Sequence, residues 1–320
     1  VRQRVFGLIK NYFWLNPAGR LLLMKKTIFT GSAVALVTPM KEDGSINFDM
    51  LGKLVDFHLA NGTQAIVACA TTGESPTLSH EEHCRTVEYI VKRVQKRIPV
   101  IASSGSNNTK YAAELSHTLQ EIGADALLMI TPYYNKTSQA GLIKHFNYIA
   151  DRVKIPIITY NIPSRTGCNI KPETYLELSK HPNIVGTKEA NGDMAAAAKT
   201  IVLCGDNLSV YSGEDNLTLP MLSVGGKGVV STTANVIPRA MNEICHQYFI
   251  GNDAESRRLF LKYLELMNAL FVDVNPMPVK TAMKMIGFDC GECRLPLTSL
   301  STENFEMLKN TLKKYDLLKI

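Results

Sequence analysis

The chain has 320 residues, of which 45% are hydrophobic, 8% aromatic and 20% charged, a balance that supports a buried core and excludes disorder, collagen and low-complexity repeats. Its formal net charge of +6 is concentrated at the amino terminus: Arg2, Arg4, Lys10, Arg20, Lys25 and Lys26 meet no acid in the first 26 residues, and without those six the remaining 29 basic residues match 29 acidic ones. The rest of the chain is therefore neutral, and neither nucleic acid nor a membrane is an expected partner.

Residues 1–26 form a basic extension outside the expected fold. No apolar stretch there reaches the ~18 residues of a spanning helix, and no small-residue cleavage site follows Leu21-Leu22-Leu23, which argues against a signal peptide. A transit peptide matches the basic, acid-free composition, but the segment has no serine, which such peptides are usually rich in. The abrupt change at Met24-Lys25-Lys26 points to Met24 as the start and to residues 1–23 as an upstream read-through or artefact.

From there, short apolar runs recur: Ala33 to Val37, Ala65 to Cys69, Val100 to Ala102, Ala126 to Ile130, Pro156 to Tyr160, Ile184 to Thr187, Leu208 to Tyr211 and Gly228 to Val230. Continuous apolar runs are what strands covered on both faces look like, hence a parallel sheet wrapped by helices. Between them, Asn47 precedes Leu51, Leu54, Val55 and Leu59 at helical spacing, and Ser79 with Glu82 forms a capping box. Eight such units over residues 27–250 predict an α/β fold, a (β/α)8 TIM barrel. A doubly wound sheet is the runner-up, disfavoured because no GxGxxG follows the first strand. Beyond residue 250 the strand signal stops. Ala254 to Val272, Met277 to Ile286 and Thr302 to Leu318 read as helices, so residues 251–320 are expected to be a small all-helical domain.

Barrel chemistry sits at the carboxyl ends of the strands. Lys188 ends the run Ile184-Val185-Gly186-Thr187; a barrel interior solvates an ammonium poorly and favours the free amine, which attacks ketones to form a Schiff base. The alternative is a lysine reaching out of the barrel mouth. Tyr160, Tyr134, Thr71 and Thr72, also at strand ends, could relay the protons that imine formation needs, although each type also favours strands for its own sake. Arg165, in the turn-rich loop after Tyr160, suits bidentate recognition of a carboxylate, or a surface ion pair.

Other signals are weak. Seven cysteines, an odd count spread singly, read as reduced thiols of a cytoplasmic protein. Cys290-Gly-Glu-Cys293 has no second pair, His80-Glu-Glu-His83 is not HExxH, and Gly225-Gly226-Lys227-Gly228 lacks phosphate-loop spacing. No metal and no cofactor are expected.

Ala70-Thr71-Thr72-Gly73-Glu74-Ser75, Thr131-Pro132-Tyr133-Tyr134-Asn135, Tyr160-Asn161-Ile162-Pro163-Ser164-Arg165-Thr166-Gly167, Gly186-Thr187-Lys188-Glu189-Ala190 and Gly228-Val229-Val230-Ser231 occur in that order. Together they resemble the dihydrodipicolinate synthase branch of the pyruvate-dependent class I aldolase family, over residues 28 to 318. The resemblance implies a lyase that condenses pyruvate with L-aspartate 4-semialdehyde to 4-hydroxy-tetrahydrodipicolinate, opening the diaminopimelate and lysine pathway. It implies that Lys188 forms the Schiff base and that Tyr160, Thr71 and Tyr134 form the relay, Tyr134 serving the neighbouring subunit of a homodimer, with a homotetramer as the usual assembly. Thr72 would hold the pyruvate carboxylate and Arg165 that of the aldehyde, while Gly213 and Val230 would offer main-chain groups.

Ser75, His80, His83, Asn107 and Tyr133 match an allosteric lysine pocket of that family, but its usual acid is replaced by Tyr111, so weak or absent feedback inhibition is expected. Ala70 replaces the first glycine of the threonine motif, a small change. N-acetylneuraminate lyase and 2-keto-3-deoxy sugar-acid aldolases share the lysine and tyrosine, and a non-catalytic barrel binding a 2-oxo acid is a rival of another class. The setting of Arg165 favours the amino-acid aldehyde, and retention of the whole lysine, tyrosine and threonine set argues against a mere binder.

Overall fold

The computed structural model describes Phe13–Leu15, Leu21–Leu23 and residues 25–319. The first two segments pair as antiparallel strands; Met24, on which the expected start rests, lies outside the described residues. The ammonium of Lys25 donates to the carbonyls of Ser179, His181 and Ile184, so the chain is docked from this residue on.

Eight parallel strands follow: β1 (Gly31–Ala35), β2 (Ala65–Ala68), β3 (Val100–Ser103), β4 (Ala126–Ile130), β5 (Ile157–Asn161), β6 (Ile184–Glu189), β7 (Ser209–Ser212) and β8 (Gly228–Ser231). They pair in chain order, and β8 closes the barrel onto β1. At that seam Gly228 pairs with Gly31. Gly228 has φ +148° and Gly31 +109°, and a Cβ on Gly228 would collide with the backbone of Gly31; only glycine allows the strands to meet there.

Side chains alternate across each strand. Ala33, Ala35, Val67, Leu128, Ile158 and Val230 fill the barrel interior, whereas Val34, Ile66, Leu127 and Ile157 face the helices. Both faces being covered is the reason the strands read as unbroken apolar runs. Phe29 stacks on Tyr211 with ring centroids 4.2 Å apart, just ahead of β1, and plugs the amino-terminal end.

The outer layer is α1 (Phe48–Ala60), α2 (His80–Val94), α3 (Thr109–Ile122), α4 (Gln139–Ala150), α5 (Pro172–Leu178), α6 (Met194–Cys204), α7 (Thr218–Ser223) and α8 (Pro238–Phe249). The Asn47 side chain caps α1 through Met50 N, and Ser79 and Glu82 form the expected reciprocal box at α2. Three further helices, α9 (Asp253–Ala269), α10 (Met277–Met285) and α11 (Thr302–Lys314), complete the chain. Their Leu266, Met267, Val279, Met283, Leu308 and Leu312 belong to the same apolar cluster as the barrel's outer layer. The carboxyl-terminal helices are thus packed onto the barrel. Among the described residues no helix is long and apolar enough to cross a membrane.

Candidate active site

β6 runs two residues further than its apolar run suggests, so Lys188 lies inside the strand and not past its end. Alternation then turns its side chain into the barrel, where the residue is 5% exposed. Parallel pairing puts Lys188 opposite Tyr160 on β5 and Tyr211 on β7. Its Nζ stands 4.2 Å from the centroid of the Tyr160 ring. Gly213, just beyond β7, gives the lysine room: a Cβ there would sit 2.7 Å from Ala190 Cβ and 3.1 Å from Lys188 Cε.

A cavity of about 400 Å³ opens above this row, lined by Lys188, Tyr160, Thr71, Thr72, Arg165 and Gly213 together with Asp215, Thr232 and Asn275. Burial pulls the Lys188 pKa down to about 8; the Arg165 guanidinium adds to this and Asp215 opposes it. Burial also pushes the Tyr160 phenol up to about 12, against the pull of Arg165 and of the neighbouring Thr71 hydroxyl. At neutral pH the phenol is protonated and about a tenth of Lys188 is free amine, the two forms that proton delivery and carbonyl addition require.

Thr72 Oγ1 accepts from Asn275 Nδ2 at 3.0 Å and lies 3.3 Å from Thr232 Oγ1. Arg165, exposed at the end of the helical turn Pro163–Thr166, reaches the Asn275 carbonyl at 3.3 Å. Asp215 is buried, with Oδ2 accepting from Thr232 N, Thr233 N and Thr233 Oγ1, and burial raises its pKa. On the outward face of β6, Glu189 accepts from Asn161 Nδ2 and Tyr175 Oη, and burial pushes it up to about 7.

Two predicted residues stand apart. Val230 is buried in the barrel interior with Tyr160, Ala190 and Tyr211 and does not line the cavity. Tyr134 is 92% exposed at φ +68° and does not approach Lys188 within the chain.

The second predicted group is partly assembled. Ser75, His83 and Tyr133 line a cavity of about 410 Å³ with Tyr111, and its wall includes Thr71, Tyr160 and Arg165. His80 Nδ1 lies 3.4 Å from Tyr111 Oη, and Asn107 Nδ2 donates to Tyr133 O at 3.2 Å.

Sequence reasoning missed Met267 and Asn268 of α9 and Phe271 and Asn275 of the segment between α9 and α10, which line the first cavity. No strand end announces them; Asn275-Pro276 reads locally as a helix break. Among the described residues there is no cluster of three His, Cys, Asp or Glu side chains able to hold a metal.

The family model described as dihydrodipicolinate synthetase matches residues 28–315. The 4-hydroxy-tetrahydrodipicolinate synthase of Acetivibrio thermocellus is 48% identical over 295 residues, covering 92% of this chain and 100% of that protein. Among solved structures, dihydrodipicolinate synthase from Aquifex aeolicus is similar with a TM-score of 0.89 at 46% identity, covering 91% of this chain and 100% of that one. The chloride-inhibited dihydrodipicolinate synthase from Acinetobacter baumannii, complexed with pyruvate, has a TM-score of 0.89 at 42% identity, over 91% and 100% of the two chains.

Proposed function

This chain belongs to the dihydrodipicolinate synthetase family, and from that premise we propose that it is a lyase condensing pyruvate with L-aspartate 4-semialdehyde to 4-hydroxy-tetrahydrodipicolinate. The observation that carries the reading is a lysine buried at a strand end, its pKa lowered, with its nitrogen against a protonated tyrosine.

Lys188 Nζ adds to the pyruvate ketone. The carbinolamine hydroxyl takes a proton from Tyr160, replenished through Thr71 and a neighbouring subunit's Tyr134, and leaves as water. The resulting iminium withdraws electrons, so the methyl carbon loses a proton and becomes an enamine. Its carbon attacks the aldehyde, whose oxygen takes up a proton to become the 4-hydroxyl. The substrate amine then adds to the iminium carbon, and Lys188 departs as the ring closes. Thr72 holds the pyruvate carboxylate and Arg165 the carboxylate of the aldehyde, with main-chain groups of Gly213 beside the substrate.

The active unit is a homodimer, assembled as a homotetramer, in the cytoplasm. N-acetylneuraminate lyase and sugar-acid aldolase activities share the imine; Arg165 at the cavity mouth favours a short aldehyde that carries its own carboxylate. Borohydride trapping with pyruvate and peptide mass mapping tests the chemistry, with Lys188→Ala as control. The expected outcome is an adduct on Lys188 and product from L-aspartate 4-semialdehyde; folded protein that gives no adduct would put the 2-oxo-acid binding barrel in its place.

A further inference from the structure

The turn that carries Thr71 and Thr72 is closed by Glu74, whose amide donates to Thr71 O at 3.1 Å. Glu74 adopts the left-handed conformation, φ +56°, which is uncommon for a residue with a side chain. Its side-chain partners come from more than two hundred residues away. Glu74 Oε1 meets Lys280 Nζ of α10 at 2.8 Å, with the two side chains 1% and 2% exposed. Glu74 Oε2 accepts from Arg294 N at 2.8 Å, and Lys280 also donates to Glu292 O at 2.9 Å.

A lone charge at either position would be costly to bury, whereas the pair with these extra hydrogen bonds satisfies both groups. As a source of stability a buried ion pair has little advantage over apolar packing of the same volume. Its distinction is direction, which apolar contact does not have.

The geometry points to Glu74 and Lys280 as positioning residues for the reaction: the buried pair, anchored on α10, fixes the turn so that Thr71 stays beside Tyr160 and Thr72 stays on Asn275. This rests on the reading of Lys188, Tyr160 and Thr71 as the imine-forming group. Neither residue of the pair lines the Lys188 cavity.

The test is steady-state kinetics and thermal melting of Glu74→Gln and of the double variant Glu74→Leu/Lys280→Met, with pyruvate trapping of the unaltered protein alongside. The Gln variant is expected to fold and to lose at least about tenfold in kcat, in line with the sensitivity of catalysis to displacements of order 1 Å, while KM for pyruvate moves less. The double variant is expected to melt near the unaltered protein without regaining kcat. A folded variant with unaltered kcat overturns the proposal, and a Gln variant that does not fold overturns it too, by assigning the pair to stability. Should the double variant not fold, the Gln variant decides alone. No Lys188 adduct in the unaltered protein would instead sink the function on which the proposal rests.

Discussion

Tyr160 and Lys188 are register partners on adjacent parallel strands, with the amine nitrogen 4.2 Å from the centre of the ring. Backbone hydrogen bonding therefore sets their spacing. With the lysine near 8 and the phenol near 12, about a tenth of the lysine is free amine at pH 7 and half at pH 8. The rate of borohydride-trapped adduct formation at low pyruvate is expected to rise about fivefold between those values. A flat profile would remove deprotonation of Lys188 from the rate.

The same burial bears on stability. In the unfolded chain Lys188 titrates near ~10.4, so at pH 7 the ammonium is present in both states and its burial opposes folding by about 3 kcal/mol, a burden that fades as pH rises from about 8 to ~10.4. Lys188→Met, which keeps the volume, is expected to be more stable than the unaltered protein in urea at pH 7, with the advantage shrinking toward pH 10. Loss of stability at pH 7 would contradict this.

Gly213 is the space into which the Lys188 stem fits. The methyl of Gly213→Ala would press on Lys188 Cε and Cγ and on Ala190. We expect a folded protein with kcat down by up to ~10²; kcat within twofold of the unaltered enzyme would show that the stem has room to spare.

Tyr134 projects from the chain, 92% exposed. If it serves a neighbouring site, mixing inactive Tyr134→Phe with inactive Lys188→Ala under subunit exchange restores one good site in each mixed dimer, about a quarter of full activity at random pairing. No recovery in demonstrated mixed dimers would assign Tyr134 another role.

None of the residues lining the second cavity is acidic, so an ammonium there has no counter-charge. Inhibition by lysine is expected to be weak or absent across a full dose curve, and strong inhibition would show that another group grips the amine.

The barrel was legible because each of its strands is a local apolar run, and Lys188, Tyr160, Arg165 and the threonine pair because strand ends locate them. Two things escaped. The extent of β6 depends on pairing, since Lys188 and Glu189 are held by Tyr160 and Asn161 opposite, not by their own hydropathy. Asn275 and Lys280 act on Thr72 and Glu74 across the whole chain, and no local pattern encodes such a contact.

Thr71, Tyr160 and Arg165 line both the cavity of Lys188 and the one beside Tyr111. The two chambers have a common partition made of these three side chains. A guest in either that shifts this partition changes the binding of a guest in the other, and thermodynamic reciprocity makes the exchange equal in both directions: whatever free energy the second chamber's occupant withholds from pyruvate, pyruvate withholds from that occupant.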